Sequence, residues 1–159
     1  MKARVLLSTW LVVVLIAGGA VGVAAWRHHS STSEKSNSAA ALATARTSIT
    51  TLLTYQGKDI AHELSAEEHL LTPEYAGTYR DMMLRQVAPT AQAANASVAA
   101  SVVASGIVRA SSQSVVTLLF VNVTTHTAKD PNPVTQGSRL RVTLDHSGKR
   151  WLVSNVEPL

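Results

Sequence analysis

The sequence has 159 residues, a formal charge of +4 and no cysteine, which leaves room for one apolar span and one domain of roughly 100 to 120 residues. Lys2 and Arg4 precede the first apolar stretch, and from Arg27 onward twelve Lys/Arg stand against ten Asp/Glu. That part is nearly neutral, so a nucleic-acid-binding function loses its electrostatic basis. The missing cysteines exclude a disulfide framework, thiolate metal sites, a cysteine nucleophile and a lipoprotein anchor.

Val5 to Trp26 reads VLLSTWLVVVLIAGGAVGVAAW, 22 residues without a charge. At about 1.5 Å per residue a helix of that length reaches about 33 Å, enough to cross a hydrocarbon core of about 30 Å. A helix buried in a small domain is seldom apolar on every side, so a transmembrane helix is expected. A cleaved signal peptide is the rival, with Val23-Ala24-Ala25 as its small-residue site, but the apolar run exceeds the roughly 7 to 15 residues of such peptides. Lys2 and Arg4 against Arg27 favour a cytoplasmic N-terminus. The expected organisation is a tail at 1–4, a membrane helix at 5–26, a linker at 27–38 and an extracytoplasmic domain at 39–159. This describes a single-pass protein of the cytoplasmic membrane, with the lipid bilayer as a partner. Gly18 and Gly22, four apart, would let another membrane helix approach closely, including one from a second copy.

After the span, RHHSSTSEKSNSA holds five serines and almost nothing apolar, a composition that reads as a tether. Ser38 is placed to cap a helix in which Leu42, Ala45, Ile49, Leu52 and Leu53 recur at helical spacing, with Gly57 as its stop. A second helix begins near Asp59 and sets Ile60, Leu64 and Leu71 on one face. Thr72-Pro73 then combines a capping hydroxyl with proline at the first helical position. Tyr75, Tyr79, Met82, Met83 and Val87 form the expected buried stripe of that third helix. Pro89 lacks an N–H and should kink or end it near Ala88, the alanine-rich run to Asn95 resuming it.

From Ser97 the period shifts toward two and β-branched residues take over, which predicts four strands. The first covers Val98 to Arg109, with Gly106 as the expected bulge, and the second, Val115 to Thr125, is apolar enough to be central. In the third, Leu140, Val142 and Leu144 alternate with Arg139, Arg141, Thr143 and Asp145. Ser147-Gly148 turns it into a fourth near Arg150 to Val156. Ala128 to Gly137, with Asp130-Pro131-Asn132-Pro133, is expected to be an exposed loop. Helices followed by a meander indicate an α+β fold, three helices packed on one face of a curved four-stranded antiparallel sheet.

LLTYQGKDIAHELSAEEHLLTPEY (Leu52 to Tyr75), VAPTAQAANASV (Val87 to Val98), VVTLLFVNVTT (Val115 to Thr125) and GSRLRVTLDHSGKRWLVSNVEPL (Gly137 to Leu159) resemble, in order and spacing, the Mce-associated membrane proteins of mycobacteria and related actinobacteria. None of these stretches is a catalytic signature. The resemblance implies an N-terminal membrane helix and an outer domain of the cystatin-like cone type, also seen in nuclear transport factor and in type IV secretion scaffolds. It further implies an accessory role beside Mce complexes, which move lipids across the cell envelope. The acidic residue usual after the tyrosine is absent, since Gln56 and Gly57 follow Tyr55.

A cone of this type can hold a pocket, and Tyr55, Tyr75 and Tyr79 are the residues expected at its rim. The fold-level analogy leaves two rival functions open, a lipid carrier or sensor using that pocket and a small isomerase-like or dehydratase-like enzyme. Asp59 and Asp81 complete the candidate acids, but Asp81 has Arg85 one turn later, an ordinary surface pair, and no base has a readable orienting partner. His62 and His69 stand seven apart, about 10 Å along a helix, too far to share one metal ion. His28 and His29 belong at the headgroups, and His126 and His146 at strand ends. No catalytic residue, metal ligand or cofactor is assigned, and the expected function is that of a non-catalytic scaffold.

Overall fold

A computed structural model of the chain describes residues 35–129 and 132–159. The expected membrane segment, with Gly18 and Gly22, and the headgroup histidines lie outside these residues. Among the described residues no helix is long and apolar enough to cross a membrane.

Helix α1 covers residues 35–52 and buries Ala41, Ala45, Ser48, Ile49 and Leu52. Most of these side chains are small, which lets the helix backbone lie close to the sheet. Leu42 and Leu53 are only partly buried at the margin of that core. Ser38 falls inside the helix rather than capping it, because residues 35–37 are already helical; capping preference is a weak local prior. Helix α2 spans Ile60–Glu67 and buries Ile60 and Leu64. A 3₁₀ turn, Glu68–Leu70, follows, so Leu71 is not on the helix face expected for it. It is extended and bridges Val153 in parallel, while the Thr72 N–H bonds the Val153 carbonyl at 2.9 Å.

Helix α3, Pro73–Met82, starts as its sequence directs: Thr72 is extended, its side chain accepts from the Tyr75 N–H, and proline occupies the first turn. Met82 is 38% exposed and leaves the expected buried stripe, whereas Tyr79 and Met83 are buried. Pro89 does not end the helix. Met83–Val87 widen into a π turn in which the Ala88 N–H reaches the Met83 carbonyl, and α4, Ala88–Ala94, continues. The wider turn lets the chain pass a residue that has no N–H to give. Asn95 ends α4 at φ 47°. Its N–H bonds Gln92 and that of Ala96 bonds Ala91, which is the Schellman arrangement, asparagine tolerating the left-handed backbone.

The sheet has five strands where four were expected, in the order β1-β2-β3-β4-β5 and antiparallel throughout. The additional strand, β1, is Tyr55–Gln56, paired with Val98 and Ser97. Two residues are too few to show a period-two pattern. The others are β2 (Ser97–Ala110), β3 (Ser114–His126), β4 (Val134–Ser147) and β5 (Arg150–Pro158). β3 is central, as its apolar run requires. β4 begins at Val134, so the loop is shorter than expected: Val134 to Gly137 pair with Thr125 to Asn122. The register of β2 slips between Val102 and Ala104 and between Ile107 and Arg109, while Gly106 pairs regularly with Leu118. The bulges therefore fall at Val103 and Val108, not at the glycine. Gly148 at φ 62° closes the β4–β5 turn.

Residues Ser38–Leu159 form one compact unit. Its core joins Ile49 of α1 and Ile60 of α2 to Val115, Leu119 and Val121 of β3, Val142 and Leu144 of β4 and Val153 of β5. Thr117 is fully buried at the centre of the sheet, and its hydroxyl donates to the Val142 carbonyl at 3.2 Å. The architecture is α+β, three helical rods (α1, α2 and the continuous α3 to α4) on one face of the sheet.

Candidate functional site

The three tyrosines singled out from the sequence take different positions. Tyr79 is buried, and its hydroxyl donates to the Leu52 carbonyl at 2.7 Å, joining α3 to the end of α1. Burial holds its phenol protonated well above the ordinary range, with smaller contributions from the Glu67 charge and the neighbouring tyrosines. Tyr75 packs against it with ring centroids 6.1 Å apart. The Tyr75 hydroxyl accepts the Val156 N–H at 3.2 Å, which ties α3 to β5. Desolvation raises the Tyr75 phenol too, against an opposing effect of the Val156 bond. Both hydroxyls are thus spent on backbone groups. Phenols held protonated in this way serve as anchors rather than as bases.

Tyr55 alone of the three lines an open groove, of about 410 Å³, between α4 and the ends of β1, β2 and β3. Val87, Ala91 and Ala94 form one wall and Val98 and Thr125 the other. A shallower depression lined by Pro89, Ala93 and Lys129 adjoins it, sharing Thr90, Ala94 and Thr127. The groove's lining contains one ionisable side chain, Tyr55, whose phenol is raised by desolvation. General acid–base chemistry needs two such groups or one with an orienting partner. A small-residue, mostly uncharged wall suits contact with an apolar or peptide surface.

Gly57 shapes this end of the molecule, a role that its reading as a helix stop missed. Its N–H bonds the Ala96 carbonyl at 2.8 Å, and a β-carbon on it would lie 2.5 Å from the Ala91 carbonyl oxygen. Only glycine fits against the terminus of α4. Neighbouring Gln56 donates its backbone N–H to the Glu63 carboxylate and its side-chain amide to Ser97.

The remaining candidates do not converge. The Asp59 backbone carbonyl accepts from His62 and Glu63 at the start of α2. Asp81 pairs with Arg85 at 3.5 Å on the surface. The His69 ring bonds the Ala66 carbonyl at 2.7 Å. Among the described residues no three His, Asp or Glu side chains come together as metal ligands. One titratable group does stand out. Partial burial, with Glu63 one turn earlier, pushes the Glu67 carboxyl up to about 7, His69 pulling it the other way.

No family model matches the chain. The fold is shared with an IcmL-like type IV secretion system protein of Legionella pneumophila, at TM-score 0.65 and 8% identity over 74% of this chain and 88% of that one. It is shared also with the periplasmic domain of DotI, at TM-score 0.61 and 16% identity over 74% and 91%. The sequence relationship lies elsewhere. Outer membrane protein Rv1973 of Mycobacterium tuberculosis is 33% identical over 138 residues, covering 87% of this chain and 86% of its own length. With one residue in three shared along nearly the whole of both chains, the protein belongs to the family of this mycobacterial outer membrane protein.

Proposed function

We propose that the protein is a non-catalytic accessory subunit of an Mce-type lipid transport system in the cell envelope. Residues 5–26 anchor it in the cytoplasmic membrane, and the domain from residue 39 contacts Mce-complex proteins outside. The observation that carries this reading is the end-to-end relationship to a mycobacterial envelope protein. Two further features support it: a domain fold shared with type IV secretion proteins, and a groove whose lining lacks an acid–base pair. The Mce assignment itself rests on the sequence resemblance. Gly18 and Gly22 are the proposed contact for a neighbouring membrane helix, in a homo-oligomer or in the transporter.

Affinity isolation of the full chain from native membranes, followed by mass spectrometry, tests the partner. Mce proteins should be enriched over a control envelope protein, and their absence from crosslinked samples sinks the assignment. Alkaline phosphatase fused after Leu159 tests the topology and should be active.

The groove beside Tyr55 favours a second reading, a lipid carrier. Extraction of acyl chains from membranes by the protein, lost on filling the groove with Ala94→Trp, would establish it in place of the scaffold.

A further inference from the structure

The sheet face turned away from the helices carries a second pattern. Pairing sets three alternate residues of β3 on that face, each opposite an arginine: Val116 faces Arg109 of β2, while Leu118 and Phe120 face Arg141 and Arg139 of β4. Alternation separates this ribbon from the core, since Val115, Thr117, Leu119 and Val121 are buried on the other side. Phe120 is 40% exposed, and at the bulges of the adjacent strand Val103 and Val108 are 57% and 63% exposed. Glu157 offsets Arg141 at 2.8 Å, and Asp145, opposite Ser114, is a second carboxylate on this face. Arg109 and Arg139 form no ion pair among the described residues. The helical layer is close to balanced, residues 35–94 holding six carboxylates against five basic side chains, Lys35, Arg46, Lys58, Arg80 and Arg85.

We propose that this face docks on the anionic surface of a lipid bilayer. Guanidinium groups make paired hydrogen bonds to phosphate oxygens, and their aliphatic stems lie along apolar neighbours. Phe120, Leu118 and Val116 need hydrocarbon at nearly the same depth. A bilayer interface offers both, an anionic layer directly over acyl chains. An acidic protein partner would satisfy the arginines but would need pockets for the scattered apolar side chains. The arginines and apolar side chains share one side of the sheet, which sets the orientation, sheet toward the lipid and helices away from it. The inference rests on the reading of the domain as tethered beside a membrane.

The absence of cysteine makes a single nitroxide label the direct test. Gly106 lies opposite Leu118 in the middle of the face, and a β-carbon there meets nothing within 4 Å, so Gly106→Cys accepts the label without strain. Glu74→Cys, exposed on α3, is the control on the helical side. The labelled full chain is studied in vesicles of phosphatidylcholine alone and with phosphatidylglycerol. With the anionic lipid, the label at position 106 should gain contact with oxygen and lose contact with a water-soluble relaxant. The label at position 74 should not change. Replacing Arg109 and Arg139 together by glutamine should lower the docked-to-undocked ratio about 25-fold, roughly fivefold per arginine, and high salt should act in the same direction.

A label at 106 that stays in water with the anionic lipid overturns the proposal, as does docking that survives the double replacement. Spin–spin broadening between labels at 106 would overturn it too, placing a second copy on the face. Flotation with neutral vesicles reports the N-terminal segment independently, so failure of the tether and failure of the docking face are told apart.

Discussion

Gly57 and Ala91 approach so closely that a β-carbon on the glycine would stand 2.5 Å from the Ala91 carbonyl oxygen. The obstacle is backbone, held in place by the bond from the Ala96 N–H to the same carbonyl. It cannot swing aside as a side chain would. Gly57→Ala should therefore cost about 1–3 kcal/mol of stability, in the range of overpacked sites. Gly106→Ala adds the same methyl group in open space and should leave stability unchanged or slightly higher. Chemical denaturation of the two full-length variants decides the matter, and equal midpoints would mean that the α4 terminus yields to the methyl group.

Tyr79→Phe removes the donor to the Leu52 carbonyl from a buried position. The orphaned carbonyl then suffers its desolvation penalty, about 1–3 kcal/mol. Tyr75→Phe strands the Val156 N–H, which is only partly buried and can turn to water, so its cost should be smaller. Urea midpoints in the order wild type, Tyr75→Phe, Tyr79→Phe support this assignment; the reverse order refutes it.

Glu67 gives stability a pH dependence whose sign is fixed. Its carboxyl titrates near 4.5 when unfolded and is pushed up to about 7 by burial and by Glu63 in the folded domain. Between those values the folded state holds a proton that the unfolded state has lost, so this group's contribution falls as pH rises through that window and is constant above it. Partial exposure screens the effect, and the direction rather than the size is the test. Glu67→Gln should flatten the decline and be more stable than wild type above pH 7. Thermal midpoints of the two proteins that run parallel from pH 4.5 to 7 would remove Glu67 from the account.

If the domain is a platform rather than an enzyme, single replacement of Asp59, Asp81 or His126 by alanine should leave transporter abundance and lipid uptake near wild type. None of these residues is among those that line the Tyr55 groove, although His126 lies between two that do, Thr125 and Thr127. A folded, normally abundant variant with a large loss of uptake would restore the catalytic reading.

Local chemistry makes a large part of this fold legible in the amino-acid sequence. Thr72-Pro73 starts a helix because the cap and the fixed proline φ act within one turn. Leu140, Val142 and Leu144 declare a strand and its inner face through alternation alone. Helices followed by a meander set the α+β class for the same reason. Tertiary structure decided what depends on partners distant in sequence. β1 exists only because Tyr55 and Gln56 meet Val98 and Ser97. The bulges sit at Val103 and Val108 because β2 must follow the register of β3, which a glycine in isolation does not reveal. Tyr79 was recognisable as an apolar residue of a helix, but its bond to Leu52 across 27 positions of sequence was not. The apolar and arginine residues of the outer face were likewise visible one by one. Only pairing across three strands places Val116 beside Arg109, Leu118 beside Arg141 and Phe120 beside Arg139, because alternation gives each strand two faces while register determines which residues share one.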